Sequence, residues 1–254
     1  MSADENVPVI EIRGLCKTFR DFWFRPVAEA VNGIDLTVEK GDVFGLLGPN
    51  GSGKSTTIKM ILGLLAPSAG RVRLFGLPPR SRAARARLGY LPELSYLHPF
   101  LTARETVMYY AGLSDLDRKT AKDRTAELLE QVGLTANANR PVGGFSKGMA
   151  RRVAFASALV SRPELLILDE PTSGLDPIGT REVKELIRRL AAEGLTILVT
   201  SHQLFDMQDV CSRVAILSHG KVVGAGRVAD IVEAAEDKRH ALEDYFVERL
   251  GIKS

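Results

Sequence analysis

The sequence has few cysteines and few histidines, and neither residue type is arranged as metal ligands are. Cys16 and Cys211 lie far apart and form no Cys-x-x-Cys pair, which is typical of small buried or half-buried thiols in a reducing, cytoplasmic setting. The histidines are scattered along the chain, which argues against a zinc site: His98, His202, His219 and His240. We therefore expect free thiols and no zinc centre.

Long apolar runs and a strong excess of one charge are also missing. No stretch approaches the roughly 20 consecutive apolar residues of a membrane-spanning helix. Residues 1–8 are acidic and polar and lack the apolar core of a signal peptide. The net charge is +3 with both signs mixed, so nothing favours nucleic acid as a partner. If the protein works at a membrane, we expect another chain to cross it.

Length and composition fit a globular protein. With 254 residues and 45% hydrophobic residues, the chain can bury a sizeable core in one large domain or two closely joined ones. A cluster of arginines indicates either a solvated helix face or a contact with lipid headgroups or a partner: Arg80, Arg82, Arg85 and Arg87.

A glycine-rich loop is the most informative feature that is present. It fits the P-loop spacing G-x-x-x-x-G-K-[ST] and consists of Gly48, Pro49, Asn50, Gly51, Ser52, Gly53, Lys54 and Ser55, with Thr56 next to it. Residues 43–47 before it predict a buried strand, and residues 56–65 after it predict a helix. Glycines let backbone N–H groups point at phosphate oxygens, Lys54 adds charge at the β- and γ-phosphates, and Ser55 can ligate Mg²⁺. We predict a nucleoside triphosphate site.

Two carboxylates follow a predicted buried strand. Residues 163–168 and 195–200 are near-continuous apolar runs, which indicate parallel strands covered on both faces. Asp169 and Glu170 end the first run and so lie at the carboxyl edge of the sheet, where α/β proteins bind ligands. We expect Asp169 to hold Mg²⁺ through water and Glu170 to orient and deprotonate the attacking water.

The order of the motifs resembles that of the ATP-binding cassette (ABC) ATPases, and the resemblance covers nearly the whole chain. Five motifs carry it, in the family's order: the P-loop at 48–55, Phe145-Ser146-Lys147-Gly148-Met149 in place of the signature sequence, Asp169-Glu170 after a strand, residues 173–176 in place of the D-loop, and His202 in place of the switch histidine. The resemblance implies ATP as ligand, Mg²⁺ as cofactor and ATP hydrolysis as activity.

The resemblance also implies a fold. It is an α/β P-loop NTPase core with a mixed sheet, an N-terminal antiparallel β region and a helical subdomain insertion. We expect a single ABC ATPase domain, divided into a nucleotide-binding core (1–93 and 162–228), a helical signature subdomain (94–161) and a C-terminal helical tail (229–254). Strand-like alternation at 9–15 and 31–38 and helical patterns at about 96–161 agree with this division. The aromatic loop at 20–29 has no role that the residues themselves predict.

Further roles follow from the resemblance alone. Phe19, on the first strand, would stack on adenine, and an aromatic residue of the loop that follows could replace it: Phe22, Trp23 or Phe24. His202 would hydrogen-bond the γ-phosphate. In this family two cassettes pack head to tail, so Ser146 and Gly148 would bind the γ-phosphate held by the partner's P-loop. Asp176 would link the two sites across the interface.

The signature segment, residues 145–149, departs from the usual Leu-Ser-Gly-Gly-Gln at three positions. Ser146 and Gly148, the phosphate-facing members, are kept. The pattern Ser-Lys-Gly-Met resembles a branch of cassettes that serve bacterial exporters, which favours export over uptake.

A second departure is Glu93, at a position where most cassettes carry glutamine. A carboxylate can still reach Mg²⁺ and position water, but it adds negative charge beside Asp169 and Glu170. We expect slower or more magnesium-dependent turnover.

The docking segment, residues 94–101, is apolar and aromatic. Core packing is one interpretation. The resemblance favours the other, a groove that receives a helix of a transmembrane permease subunit.

Taken with the resemblance, these features predict the ATP-hydrolysing subunit of a membrane ABC transporter, and an exporter in particular. It would act as a dimer of cassettes, expected to be identical, at the cytoplasmic face of the membrane as a peripheral protein, without nucleic acid. The alternatives are a non-transport ABC ATPase of DNA repair or translation, and a nucleotide-regulated binding module with negligible hydrolysis.

Overall fold

Strands and helices alternate along the chain in the computed structural model, which describes residues 7–114 and 116–250. The strands are β1 (Ile10–Arg20), β2 (Pro26–Val38), β3 (Val43–Leu47), β4 (Ala69–Leu74), β5 (Leu88–Leu91), β6 (Leu165–Asp169), β7 (Thr196–Ser201), β8 (Arg213–Ser218) and β9 (Lys221–Arg227). The α-helices are α1 (Lys54–Ile61), α2 (Arg82–Ala86), α3 (Ala103–Gly112), α4 (Arg118–Gln131), α5 (Lys147–Leu159), α6 (Pro177–Ala192), α7 (Leu204–Gln208), α8 (Val228–Ala234) and α9 (Ala241–Arg249). Residues 1–6 of the polar N-terminal segment and 251–254 of the predicted tail lie outside the described residues.

The chain divides into two compact units, Met1–Arg85 with Thr196–Ser254 and Ala86–Leu195. The first unit contains an antiparallel sheet in the order β2-β1-β4. It also contains β3 between two parallel neighbours, β7 and β8, with β9 antiparallel to β8. The predicted antiparallel β region and the mixed sheet are thus confirmed.

The strand before the P-loop has the predicted bounds and burial. β3 spans Val43–Leu47 and all of its residues are buried. Burial on both faces follows from its uninterrupted apolar sequence. The helix after the loop begins at Lys54 instead of Thr56 and ends at Ile61 instead of Leu65, because Gly63 turns the backbone into the left-handed region at φ 68.

The first hairpin is longer than the sequence patterns predict. β1 and β2 continue to the pair Arg20 and Pro26, so only residues 21–25 of the expected aromatic loop form the turn. The Asp21 carboxylate closes it by accepting the N–H groups of Trp23 and Arg25, each at 2.9 Å. Side-chain acceptors of this kind stabilise turns through the backbone.

The second unit contains three helices that pack on one another, α3, α4 and α5. Helical structure is what the sequence predicts for residues 96–161, and the described part of that range contains no strand. Thr102 and Glu105 form a capping box at the start of α3. The last of these three helices begins at Lys147, and the Ser146 hydroxyl caps it.

Two buried parallel strands and an amphipathic helix complete the second unit. β6 pairs with β5 in parallel and is buried throughout, as its apolar run predicts. The apolar stripe of α6 is buried in full: Val183, Leu186, Ile187 and Leu190. Gly194, at φ 89, follows the end of that helix, where glycine is favoured by its backbone conformation.

The C-terminal helices pack within the first unit. α9 contacts α7, α8 and β9, and Leu242 on it is fully buried. At that residue the tail therefore packs within the first unit. In the described ranges, no helix has both the length and the apolar character that crossing a membrane requires.

Candidate functional site

The P-loop of the first unit is built around two glycines that have no room for a side chain. Gly48 follows β3, and its N–H donates to the carbonyl of Ser201 at the end of β7 (3.2 Å). Gly53 precedes α1 at φ 108. A Cβ on Gly48 would lie 2.2 Å from the Leu217 carbonyl oxygen, and one on Gly53 would lie 2.5 Å from the Ala30 carbonyl oxygen. The loop therefore needs glycine at both positions.

Polar groups inside this loop fit a phosphate chain. α1 begins without a side-chain cap, so its first N–H groups are not satisfied by a cap residue. The buried Ser52 hydroxyl has no hydrogen-bond partner among the described residues. The Lys54 ammonium bends back to the carbonyl oxygens of Gly48 (2.7 Å) and Pro49 (3.2 Å). Uncapped amides, a buried cation and an unpaired hydroxyl together favour an anionic ligand.

Two further predicted site residues of the first unit are His202 and Phe19. His202 is exposed and directly follows β7, whose last residue pairs with Leu47 beside the P-loop. The structure thus brings His202 and the P-loop to the same ends of two paired strands. Phe19 lies near the end of β1, is 41% exposed, and has the Lys17 ammonium 5.4 Å from its ring centroid.

The alternative aromatic residues lie at the tip of the first hairpin. Phe22, Trp23 and Phe24 are among the most exposed large apolar side chains of the described chain, at 88%, 71% and 79%. Phe22 and Trp23 contact edge to face with ring centroids 5.5 Å apart. Each of these rings and Phe19 has surface available for stacking on a base.

The predicted hydrolytic carboxylates lie in the second unit at the end of β6. Asp169 and Glu170 are buried, with exposures of 7% and 6%. Glu170 has φ 47, a left-handed conformation that is uncommon for a residue with a side chain and is often found at functional sites. Burial, followed by the negative charge of Asp169, raises the pKa of Tyr90 on β5 to about 12. Tyr90 therefore stays neutral at physiological pH.

Arg151 is a residue that the sequence analysis missed. It lies on α5 and is 7% exposed, and its guanidinium donates to the carbonyl oxygens of Glu93 (2.9 Å) and Glu170 (2.9 Å), among others. Burial lowers the pKa of Arg151 to about 10, with the charge of Asp169 opposing the shift. The residue is therefore charged at neutral pH. The sequence does contain a signal for Arg151, because it shares a helix face with the apolar residues Ala154 and Phe155. An arginine on an apolar face requires hydrogen-bond partners.

Glu93 follows β5 with an exposed side chain. Its negative charge, like that of Asp169, raises the pKa of Tyr90 and favours the charged form of Arg151. Glu93 and Asp169 therefore act on the same two neighbours, Tyr90 and Arg151. Its role toward a metal stays a prediction.

The signature segment begins α5. Ser146 is exposed, and its hydroxyl accepts the N–H of Met149 (3.2 Å). Gly148 lies in the first turn, where a Cβ would meet nothing closer than 3.9 Å. Asp176 caps α6 in the same way, accepting the N–H of Gly179 at 2.7 Å. These predicted interface residues therefore cap or begin helices, with ordinary room for a side chain at Gly148.

The predicted magnesium ligands are oxygen donors, as this cation requires: Ser55, Glu93 and Asp169. Ser55 is exposed in the first turn of α1. Across the described ranges, no three His, Cys, Asp or Glu side chains form a cluster that could hold a metal ion alone. Mg²⁺ in nucleotide sites is typically bound by one or two protein groups with phosphates and waters, so a small donor set fits it.

Comparison with known proteins agrees with the motif order. Residues 31–173 match the sequence profile of the family described as ABC transporter. An uncharacterized ABC transporter ATP-binding protein of Synechocystis sp. is 37% identical over 99% of this chain and 73% of its own length. The Nod factor export ATP-binding protein I of Burkholderia orbicola is 40% identical over 90% of this chain and 74% of its own length.

A solved structure agrees with the fold. The ATP-binding subunit of an ABC transporter superposes with a TM-score of 0.80 at 29% identity, covering 95% of this chain and 99% of the solved one. The α/β P-loop fold and its helical insertion are therefore shared with this subunit.

Proposed function

The chain belongs to the ABC transporter family of ATP-binding proteins, and from that membership we propose that it is the ATP-hydrolysing subunit of an exporter. Members of this family bind and hydrolyse ATP, dimerise and work with transmembrane permease components. The observation that carries the proposal is the P-loop, whose buried Lys54, uncapped helix and unpaired Ser52 hydroxyl fit a phosphate chain. Export is favoured by the signature segment and by the similarity to a protein named for Nod factor export.

In the proposed reaction the first unit holds the nucleotide. The P-loop N–H groups and Lys54 bind the β- and γ-phosphates, and Phe19 or an aromatic residue of the hairpin tip stacks on adenine. His202, at the end of the strand beside the P-loop strand, donates to the γ-phosphate. These interactions position the nucleotide and neutralise charge as the γ-phosphoryl group leaves.

The second unit supplies the group that activates water. Glu170 orients the attacking water and accepts its proton, while Asp169, Glu93 and Ser55 provide the oxygen ligands for a metal ion. Mg²⁺, when bound with ATP, neutralises the developing charge on the phosphates. Arg151 is charged and lies beside these carboxylates.

The signature segment contacts a second cassette in this proposal, expected to be an identical copy. Ser146 and Gly148 lie at an exposed helix N-terminus, and such a terminus attracts anions. They bind the γ-phosphate held by the partner, so hydrolysis requires the dimer. Asp176 links the two sites.

The docking segment receives the permease. Leu94, Tyr96 and Phe100 on it are exposed by 64%, 88% and 82%, which favours docking over the alternative of core packing. Replacing Tyr96 and Phe100 by serine is expected to abolish co-purification with membranes that contain the permease while ATP binding stays. Tyr109, exposed on α3, is the matched control. Loss of ATP binding would contradict the docking role.

The proposed place of action is the cytoplasmic face of the cell membrane, where ATP is available, with the chain as a peripheral subunit. The separate cysteines agree with a reducing compartment: burial raises the pKa of Cys211 to about 12, so its thiol is unreactive there.

The test is steady-state ATPase activity with Mg²⁺, together with oligomeric state in ATP, for the parent chain and Glu170→Gln. The substitution keeps the shape of the side chain and removes the base, so kcat should fall by about 100-fold or more. ATP binding should persist, and the variant should accumulate as an ATP-bound dimer.

Glu130→Gln, an exposed carboxylate on α4, is the matched control and should behave as the parent. Equal turnover by Glu170→Gln and the parent would contradict the assigned base. ATP binding without turnover or dimer in the parent would instead favour a nucleotide-regulated binding module.

A further inference from the structure

Arg151 is a charged side chain buried in the second unit. Only 7% of it is exposed, and Ala154 and Phe155 on the same helix face belong to the apolar core. Burying a guanidinium is costly unless its N–H groups find acceptors. The acceptors that it finds therefore indicate what the residue does.

One side of the guanidinium binds the stretch that follows β5. Nη1 donates to the carbonyl oxygens of Pro92 (2.6 Å) and Glu93 (2.9 Å), and it lies 3.4 Å from the Ser95 hydroxyl oxygen. This stretch contains Glu93 and leads directly into the docking segment.

The other side binds the end of β6. Nη2 donates to the carbonyl oxygens of Asp169 (3.0 Å) and Glu170 (2.9 Å), and Nε donates to that of Pro171 (3.0 Å). With the two bonds from Nη1, each of the five N–H donors of a guanidinium has a carbonyl acceptor. The bonds go to the backbone, so Arg151 determines the path of the chain at these residues.

The backbone at Glu170 needs such support. A glutamate at φ 47 is in a left-handed conformation that is unfavourable for a residue with a side chain and persists only where the surroundings hold it. Two of the bonds go to Glu170 and to Asp169, which precedes it, and a third goes to Pro171, which follows it. The direction of the Glu170 side chain therefore depends on the guanidinium.

We infer that Arg151 is a positioning residue for ATP hydrolysis, which ties the backbone of residues 92–95 to that of residues 169–171 and thereby aims Glu170 at its water. The inference rests on the proposed function. Through this tie, a displacement of the docking segment moves the Glu170 backbone. The permease-facing surface and the water-activating group thus form one hydrogen-bonded unit.

The geometry requires arginine and no other cation. A guanidinium is a rigid planar fork, so one group can bind two chain segments on different edges. A lysine ammonium has three donors on a single nitrogen, and it keeps the charge without spanning both segments. Arg151→Lys is therefore the conservative variant that separates charge from geometry.

The experiment compares Arg151→Lys and Arg151→Met with the parent in the full chain. Arg124→Met is the matched control, because Arg124 also lies in a helix of the second unit, is 12% exposed at its side chain and binds a carbonyl, that of Leu159 at 3.0 Å. Turnover, KM for ATP, thermal stability and rescue by added guanidinium at a non-denaturing concentration are measured for each.

The expected result is a loss in kcat without a matching change in KM. Arg151→Met should lower kcat by about 100-fold, since a misplacement of about 1 Å at a reacting group costs that much. Arg151→Lys should lower it by about tenfold. Added guanidinium should restore part of the activity of Arg151→Met. Arg124→Met should lose stability and keep its kcat.

Several outcomes would overturn the inference. The first is an unchanged kcat in Arg151→Lys. The second is a rise in KM of the Arg151 variants instead of a fall in their kcat. The third is a fall in kcat in Arg124→Met as large as that in Arg151→Met. If Arg151→Met does not fold, the kcat of Arg151→Lys decides.

Hydrogen exchange of the nucleotide-free chain separates this inference from the proposed function. In Arg151→Lys, the peptides that cover residues 92–95 and 169–173 should exchange faster together, while those of α4 stay unchanged. If the parent chain has no turnover, the proposed function fails, whatever the exchange result. If the parent turns over and the two peptides respond separately, the tie is wrong and the proposed function stands.

Discussion

The helix after the P-loop and the helix after the signature segment begin in opposite ways. α1 follows Gly53 with no side-chain cap, in a loop where two glycines lie against backbone carbonyls. α5 begins with Ser146, whose hydroxyl satisfies the N–H of Met149, and Gly148 beside it has room for a side chain. One helix end has no side-chain cap, while the other is capped by a side chain of its own chain.

This difference indicates which ligand contacts a single chain can make alone. The P-loop has a buried cation, a helix N-terminus without a side-chain cap and the tight backbone of a phosphate site. The signature segment is capped by Ser146, which is exposed, so we expect its anion to come from outside the chain. Substitutions in the P-loop should therefore affect ATP binding, and substitutions in the signature segment should affect the dimer.

The largest effect is expected from Gly53→Ala. The new Cβ would lie 2.5 Å from the Ala30 carbonyl oxygen at a backbone φ of 108, so the loop must shift away from its phosphate-binding shape. ATP binding should weaken by about 100-fold, which corresponds to about 2.7 kcal/mol. Calorimetric titration of the purified chain with ATP measures the dissociation constant.

Gly51→Ala is the matched control for that substitution. Gly51 also has a left-handed backbone, at φ 79, but its Cβ would meet nothing within 4 Å. Only the conformational cost of alanine remains there, about 1–2 kcal/mol. Equal losses in the two variants would contradict the steric explanation.

A smaller effect, with a different readout, is expected from Gly148→Ala. No atom lies closer than 3.9 Å to the new Cβ, so the chain should fold and bind ATP as before. A second cassette approaching this surface would meet the extra methyl group, at a cost of about 1–3 kcal/mol. In the Glu170→Gln background, the substitution should raise the dissociation constant of the ATP-dependent dimer by about 10- to 100-fold. Sedimentation measures this constant.

Ser146→Ala sharpens this result, because it removes the hydroxyl and also the cap of α5. Its cost to stability should be about 1 kcal/mol. Two outcomes would contradict the difference between the two helix ends. In one, Gly148→Ala dimerises as the parent does. In the other, monomeric Gly148→Ala loses ATP binding.

The comparison also separates what the sequence could predict from what it could not. The strand Val43–Leu47 was predictable residue by residue, because five apolar residues are bounded by Gly41-Asp42 and by Gly48. The capping box at Thr102 and Glu105 also follows from local spacing. Local chemistry fixes both features, so no distant contact is needed to find them.

Other features depend on distant contacts. Near its turn, the first hairpin consists of exposed strand residues with little alternation of apolar and polar side chains. The length of these strands is therefore set by cross-strand pairing, which continues to Arg20 and Pro26. Helical periodicity can place Arg151 on a buried face, but it cannot name the carbonyls that bind it. The left-handed backbone of Glu170 is likewise held by surroundings that no local pattern contains.

A modest effect is expected from Glu93→Gln, which tests the second unit's departure from the family pattern. The side chain is exposed, so its charge acts on Asp169 through a largely aqueous medium and is worth about 1 kcal/mol. Removing it should raise turnover by about two- to fivefold. Rates across a range of Mg²⁺ concentrations for the variant, the parent and Glu130→Gln check this. Identical curves for the variant and the parent would refute the expectation.

The smallest effect is expected from Ser52→Ala, and its sign is the informative part. The Ser52 hydroxyl is buried and has no hydrogen-bond partner among the described residues, so its removal should stabilise the chain in the absence of nucleotide by about 1 kcal/mol. If phosphate provides the missing partner, the same substitution should weaken ATP binding by about fivefold, and the rise in Tm on adding ATP should shrink. Ser55→Ala, whose hydroxyl is exposed, should leave the Tm of the nucleotide-free chain unchanged. A lower Tm for nucleotide-free Ser52→Ala would mean that the loop is satisfied without its ligand, as the signature helix is.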